Sequence, residues 1–180
     1  MITTARLVLR ELRESDATAV ATGAGERKVA RYLTAIPSPY PVSLASRWVR
    51  MRIGWSSSGR GVTLAIATAD APDTLLGTVS LRHHPRDRRA ELGYWLASHA
   101  WGNGFATEAT RAVVDFGFRE LGLARIYAQV FADNRRSQRV LEKLGMVTEG
   151  VKRKHVRKGR RLLDIVIYGV LRDEWAHAAR

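Results

Sequence analysis

The stretch WGNGFATEA, Trp101 to Ala109, places two glycines one residue apart between a strand-like run and a helix-like run. Either this is a tight strand-to-helix turn whose glycines serve close packing, or something approaches the backbone so closely that side chains are excluded. A helix N-terminus offers unpaired N–H groups and a partial positive charge, which suit a phosphate or pyrophosphate. The dinucleotide fingerprint G-x-G-x-x-G fails because Thr107 stands at its third glycine, and no G-K-[ST] triplet exists for a Walker loop.

Reading outward, AELGYWLA before the loop and RIYAQVFA after the helix are rich in β-branched and aromatic residues and read as strands, as do VTLAIATA and LLGTVSLRHH upstream. Between the two strands nearest the loop, Phe105, Ala109, Ala112, Val113 and Phe116 recur at helical spacing, so Phe105 to Leu121 packs one face on a sheet. A second helix, Arg135 to Leu144, should bury Val140, Leu141 and Leu144, with Gly145 at its C-terminal cap. RLVLREL, Arg6 to Leu12, alternates as a half-buried strand, and Ser15 supplies an N-cap signal for a first helix. Prolines 37, 39 and 41 force a loop over Tyr32 to Pro41, followed by an amphipathic helix over Val42 to Trp55. MVTEGVKRK and LLDIVIYGVL close the chain as two strands, with Gly159 in the basic turn between them. The pattern predicts a mixed α/β (α+β) domain spanning 1–180, with a mostly antiparallel sheet of six to seven strands flanked by helices.

The 180 residues include no cysteine, which removes disulfides, thiolate nucleophiles and cysteine-based zinc sites, and fits a reducing cytoplasm. His83 and His84 are adjacent on a strand and point to opposite faces, so no metal is expected. The start of the chain has no long apolar run, so neither a signal peptide nor a membrane contact is expected. Thirty Lys and Arg against seventeen Asp and Glu give a net charge of +13, which favours anionic partners or reflects an arginine-rich proteome. No G-x-S-x-G elbow supports serine hydrolysis.

SHAWGNGFATEA resembles the acyl-coenzyme A loop of the GNAT superfamily of N-acyltransferases, Q/R-x-x-G-x-G/A at the mouth of a helix, with His99 at the Gln/Arg position. Together with TARLVLREL, ELGYWL, ADNRRSQRVLEKLGM and LLDIVIYGVLRDEW in that order, it is similar to the ribosomal-protein-alanine N-acetyltransferase (RimJ/RimL-like) branch over Thr3 to Trp175. The resemblance implies the GNAT fold with two splayed central strands, here ELGYWLA and RIYAQVFA, and an acetyl-CoA or other acyl-CoA co-substrate such as succinyl-CoA. It implies that the pyrophosphate lies against the N–H groups of Trp101, Gly102, Asn103, Gly104, Phe105 and Ala106. The pantetheine would run beside the strand ending at Leu96 and contact Asn134, with backbone N–H groups near Leu96 holding the oxyanion.

The resemblance implies a primary amine as acceptor, either a protein N-terminus or a small molecule. Its nitrogen must be neutral to attack, which needs more help for a lysine (pKa about 10.4) than for an α-amine (about 8). Glu91 is the candidate base, directly or through water, because it is the one carboxylate in either splayed strand. Surface pairing with Arg88 or Arg89 is the bland alternative. The base of some relatives falls at Gln129, which takes no proton, and the acidic tyrosine of others falls at Leu141. Asn134 and Ser137 form an N-x-x-S start to the second helix, which suits capping, while the resemblance puts Ser137 near the sulfur as a hydrogen-bond donor. Arg135 and Arg139 either meet the nucleotide's phosphate or are simply solvated.

KRKHVRKGRR, Lys152 to Arg161, holds seven basic residues in ten, either a solvated hairpin tip or a surface for the ribosome or an acidic protein. Trp48 and Trp55 either join the core or line an acceptor groove. A non-catalytic acyl-CoA sensor and an RNA-associated module are the alternatives of a different class. Exposed strand edges suit a homodimer.

Overall fold

Strands β5 (Arg89–Leu96) and β6 (Arg125–Phe131) decide the architecture. They run parallel and pair at Arg89↔Arg125, Ala90↔Ile126 and Glu91↔Tyr127, where the ladder ends. Parallel neighbours need a long crossover, and α4 (Phe105–Arg119) supplies it. The remaining pairs are antiparallel: β1 (Ile2–Thr3), β2 (Leu7–Glu11), β3 (Gly61–Thr68) and β4 (Gly77–His84) beside β5, and β8 (Arg161–Leu171) then β7 (Val147–Lys158) beside β6. The computed structural model describes residues 1–178. Among these, no helix is long and apolar enough to cross a membrane.

Side-chain alternation along the strands feeds two cores. In β3, Leu64 and Ile66 join Leu81, Val113 and Ile126 beneath α4 and α5 (Arg135–Lys143), while Ala65 joins Val20, Val49 and Trp95 beneath α1 (Ala17–Gly25) and α3 (Val42–Ser57). A single turn, α2 (Arg27–Ala30), leads into the 31–41 loop, and α6 (Arg172–Ala178) follows β8.

The sheet has eight strands, one more than the upper expectation, because Ile2 and Thr3 pair with Leu9 and Val8. Two residues carry no periodicity to read. Ser15 is not the cap of the first helix. Glu14–Asp16 form a 3-10 turn, and the Asp16 carboxylate is bound by the Arg10 guanidinium at 2.8 and 2.9 Å and by the Arg13 N–H at 2.8 Å. In α5 the buried side chains are Gln138 and Leu141, with Leu144 buried just beyond the helix, and Val140 faces the cleft. Gln138 is accommodated there because its amide donates to the Ala132 carbonyl at 2.9 Å and to that of Phe131 at 3.3 Å. Strand β7 runs on to Lys158 through an irregularity between Lys152 and Val156, where Lys154 adopts φ +49° and breaks the alternation.

Candidate active site

The end of the β5–β6 ladder exposes particular backbone groups. Ala97 N–H donates to the Leu76 carbonyl at 2.8 Å, continuing the β4–β5 ladder. Antiparallel alternation then turns the amides of Tyr94 and Leu96 away from β4, towards the side from which β6 has departed. Trp101 Nε1 donates to the Leu96 carbonyl at 2.9 Å, leaving the Leu96 N–H directed at the opening. The resulting cleft, about 880 Å³, is lined by both strands, the glycine loop and the first turns of α4 and α5.

In the loop, Gly102 and Gly104 have φ of +86° and +78°, so both glycines answer to left-handed backbone. The close-packing reading is overturned at 102, where an added Cβ would meet nothing within 4 Å. At 104 it would meet the Arg6 guanidinium at 3.3 Å. A staple from the other end of the chain sets the conformation. Arg6 donates through Nη1 to the Asn103 carbonyl at 2.9 Å and through Nε to Glu108 at 2.8 Å, while Thr4 Oγ1 donates to Glu108 at 2.6 Å. The Arg6 guanidinium also lies 5.0 Å from the Phe105 ring centre. The Asn103 side chain donates back to the carbonyls of Ala100 and Trp101, and Ala106 lines the cleft. With the first intrahelical bond of α4 running from Glu108 N–H to Gly104, the preceding N–H groups at the helix start have no intrahelical acceptor. His99 is exposed in the 3-10 turn before the loop.

On the same face of the sheet, Asn134 caps α5 by accepting the Ser137 N–H at 3.3 Å, and both residues line the cleft. Ser137 Oγ lies 2.7 Å from the Tyr94 hydroxyl, which also donates to the Ser137 carbonyl at 3.1 Å. Burial pushes the Tyr94 phenol well above its ordinary pKa, so it stays protonated as a donor. Sequence reasoning passed over Tyr94, although period-two counting back from Leu96 places it on the α4–α5 face. Arg136 was also missed. Its guanidinium stacks 4.8 Å from the Trp101 ring centre and lines the cleft with Arg139. Arg135 is instead turned to Gln138 Oε1 at 3.0 Å.

Glu91 faces the opposite side, towards α1 and α3. It pairs with Arg82, its cross-strand neighbour, rather than with Arg88 or Arg89, which reach the Gly122 carbonyl and Asp87. Its other oxygen accepts from Gln129 Nε2 at 3.2 Å, and Gln129 accepts in turn from Lys152 Nζ at 3.3 Å. Trp48 and Arg52 of α3 line this mouth of the cleft. Trp55 lies one turn on and stacks on Arg52. The loop over 33–36 forms a further wall, held by Lys158, whose ammonium donates to the carbonyls of Leu33 and of Ile36. Lys158 is therefore committed to the fold rather than to a freely solvated hairpin tip, while Lys152 stays exposed beside Gln129.

The chain is similar to known proteins in sequence and in fold. The uncharacterized N-acetyltransferase YoaA of Bacillus subtilis (strain 168) is 32% identical over 173 residues, covering 96% of this chain and 97% of its own. A GNAT-family acetyltransferase from Bacillus anthracis superposes with a TM-score of 0.85 at 25% identity, over 96% of this chain and 99% of that one. RimL, a ribosomal L7/L12 alpha-N-protein acetyltransferase solved with coenzyme A, shares the fold with a TM-score of 0.83 at 19% identity, over 93% and 95% of the two chains. The family model for the acetyltransferase (GNAT) domain matches residues 6–147. That span contains both diverging strands, the glycine loop and α5, and the chain belongs to the GNAT acetyltransferase family.

Proposed function

We propose that the protein transfers an acetyl group from acetyl-CoA to a primary amine, and that the acceptor is a protein N-terminal amine. The observation that carries this reading is the end of the β5–β6 ladder at Glu91↔Tyr127. It opens a passage through the sheet, so that a thioester entering from the α4–α5 side meets an amine entering from the α1–α3 side. The coenzyme A held by RimL, and that protein's alpha-N-protein substrate, support the same donor and acceptor class here.

In this mechanism the loop N–H groups from Trp101 to Ala106 bind the pyrophosphate, with Arg136 and Arg139 adding positive charge. Asn134 contacts the pantetheine, and the arm lies along β5 up to Leu96. The amine nitrogen attacks the thioester carbonyl carbon, and the Leu96 N–H holds the developing oxyanion. The proton released by the nitrogen passes to Glu91, directly or through water. Collapse breaks the C–S bond, and Ser137 donates a hydrogen bond to the departing thiolate. Either hydroxyl can donate in the Tyr94–Ser137 Oγ contact, and turning the single Tyr94 hydrogen from the Ser137 carbonyl to Oγ leaves the serine's own hydrogen to point at the sulfur. Gln129 holds Glu91 in place and takes no proton itself.

The test is thermal unfolding with acetyl-CoA, succinyl-CoA and free CoA, followed by thiol release with peptide acceptors. At about 100 times Kd a ligand of the folded state adds roughly 2.7 kcal/mol, which at about 2–4 °C per kcal/mol raises the midpoint by roughly 5–11 °C. Acetyl-CoA should give this shift, and peptides with a free N-terminus should release thiol while N-terminally blocked peptides do not. No shift at saturation overturns the donor assignment. A larger shift and faster turnover with succinyl-CoA would name that donor instead, and a shift without turnover on any amine would make the protein an acyl-CoA sensor.

A further inference from the structure

We propose that the acceptor carries a carboxylate close to its amine and that Arg52 binds it. The inference rests on the transfer reading above. Arg52 lies on α3 and lines the acceptor mouth with Trp48 and Glu91. Its guanidinium is 4.4 Å from the Trp55 ring centre and 5.2 Å from that of Trp48, so two indoles flank the planar group and restrict its orientation. Nε is buried with no hydrogen-bond partner. None of the ion pairs among the described residues includes Arg52. An arginine stays charged in a protein, and a buried guanidinium N–H left without an acceptor is costly. Glu91 lies within Coulombic reach of Arg52 but makes no hydrogen bond or ion pair with it, and its partners are Arg82 and Gln129.

The wider charge balance agrees. Among the described residues that line the cleft Glu91 is the one carboxylate, Arg82 and Glu91 are both within Coulombic reach of Arg52, and Lys152 reaches Glu91 through Gln129. A polycationic amine is repelled from such a mouth. An amine with an adjacent carboxylate places its nitrogen by Glu91 and its carboxylate on the Arg52 fork, where planar bidentate pairing is available. The carboxylate has two sources: the α-carboxylate of a free amino acid, or an Asp or Glu side chain at the first position of a polypeptide.

The experiment compares wild-type kcat/KM on isosteric pairs with acetyl-CoA: Glu-leading against Gln-leading peptides, and free amino acids against their amides. The acidic member of one pair should exceed its neutral partner by about tenfold to a hundredfold, the usual weight of a hydrogen bond to a charged group. The pair that discriminates names the source. In Arg52→Gln the preference should vanish through a raised KM with kcat little changed, and Arg52→Lys should keep part of it. Turnover that ignores the charge, or a preference that survives Arg52→Gln, overturns the inference alone. No turnover with any acceptor overturns the transfer reading and the inference with it. The wild-type comparison stands even if neither variant folds.

Discussion

Gly102 allows the conformational and the ligand-binding reasons for a glycine to be separated. At φ +86° an alanine costs about 1–2 kcal/mol in the left-handed region. No steric cost is added, because the new Cβ meets nothing within 4 Å. At about 2–4 °C per kcal/mol for a domain of this size, Gly102→Ala should unfold roughly 2–8 °C lower than wild type. Asparagine visits left-handed backbone more readily, so Gly102→Asn should lose less stability. Its side chain, however, extends into the open space before the loop, where the pyrophosphate lies in the proposed complex. Losing one charge-assisted hydrogen bond, about 1.5–3 kcal/mol, weakens CoA binding by roughly 10- to 150-fold. Calorimetric titration with CoA, together with a melting curve for each variant, reads both quantities. Wild-type CoA affinity in Gly102→Asn would refute the phosphate position, and an unchanged midpoint in Gly102→Ala would refute the left-handed assignment.

Ser137→Ala should lower kcat about tenfold while leaving CoA affinity within about twofold, since one hydrogen bond to the leaving sulfur is worth roughly 1–1.5 kcal/mol. Full-rate turnover would confine Ser137 to the α5 cap. Tyr94→Phe should reduce kcat by a smaller factor, and an effect larger than that of Ser137→Ala would make Tyr94 the principal donor. Burial alone would raise the Asp16 pKa, but the Arg10 hydrogen bonds, the Arg13 N–H and the nearby charges outweigh it and hold the carboxyl below its ordinary value. Its stabilising contribution is therefore complete above the unfolded-state pKa of about 3.9 and is lost as pH falls through the lower folded-state value. Asp16→Asn should cost about 3–5 kcal/mol at pH 7 because it strands Arg10 in the interior, and the deficit should shrink in acid. Denaturant melts at pH 7 and pH 3 would measure this, and a deficit that stays constant with pH would refute it.

The sequence was most legible where one side of an element faces water and the other faces core. Alternation in β2 and helical spacing in α4 both place their elements correctly, and the paired glycines mark the loop. Legibility failed where a polar group is satisfied from far along the chain. Asp16 looks like part of a cap until Arg10 is brought beside it, and Gln138 looks exposed until the Phe131 and Ala132 carbonyls claim its amide. Glu91 stands out in the sequence as a carboxylate within a splayed strand, but its partner does not, because Arg82 becomes its neighbour only through the β4–β5 register. Arg52 was invisible for the same reason. Trp48 and Trp55 signalled α3's inner face, and nothing local says that an arginine is held between them.

The staple between Arg6 and Glu108 joins residues 102 apart in sequence, and it couples the glycine loop to the edge of the sheet. That edge is short, with β1 only two residues long, and short edges open at lower free energy than a core. Opening it frees Asn103 and Glu108 together, so the loop loses its anion-binding shape while the central strands remain intact. By linkage the coupling is reciprocal. An anion seated on the loop slows amide exchange at Arg6 and Leu7, and a lesion in β1 acts as a remote competitive inhibitor, raising the donor concentration needed for half-saturation without touching the chemistry.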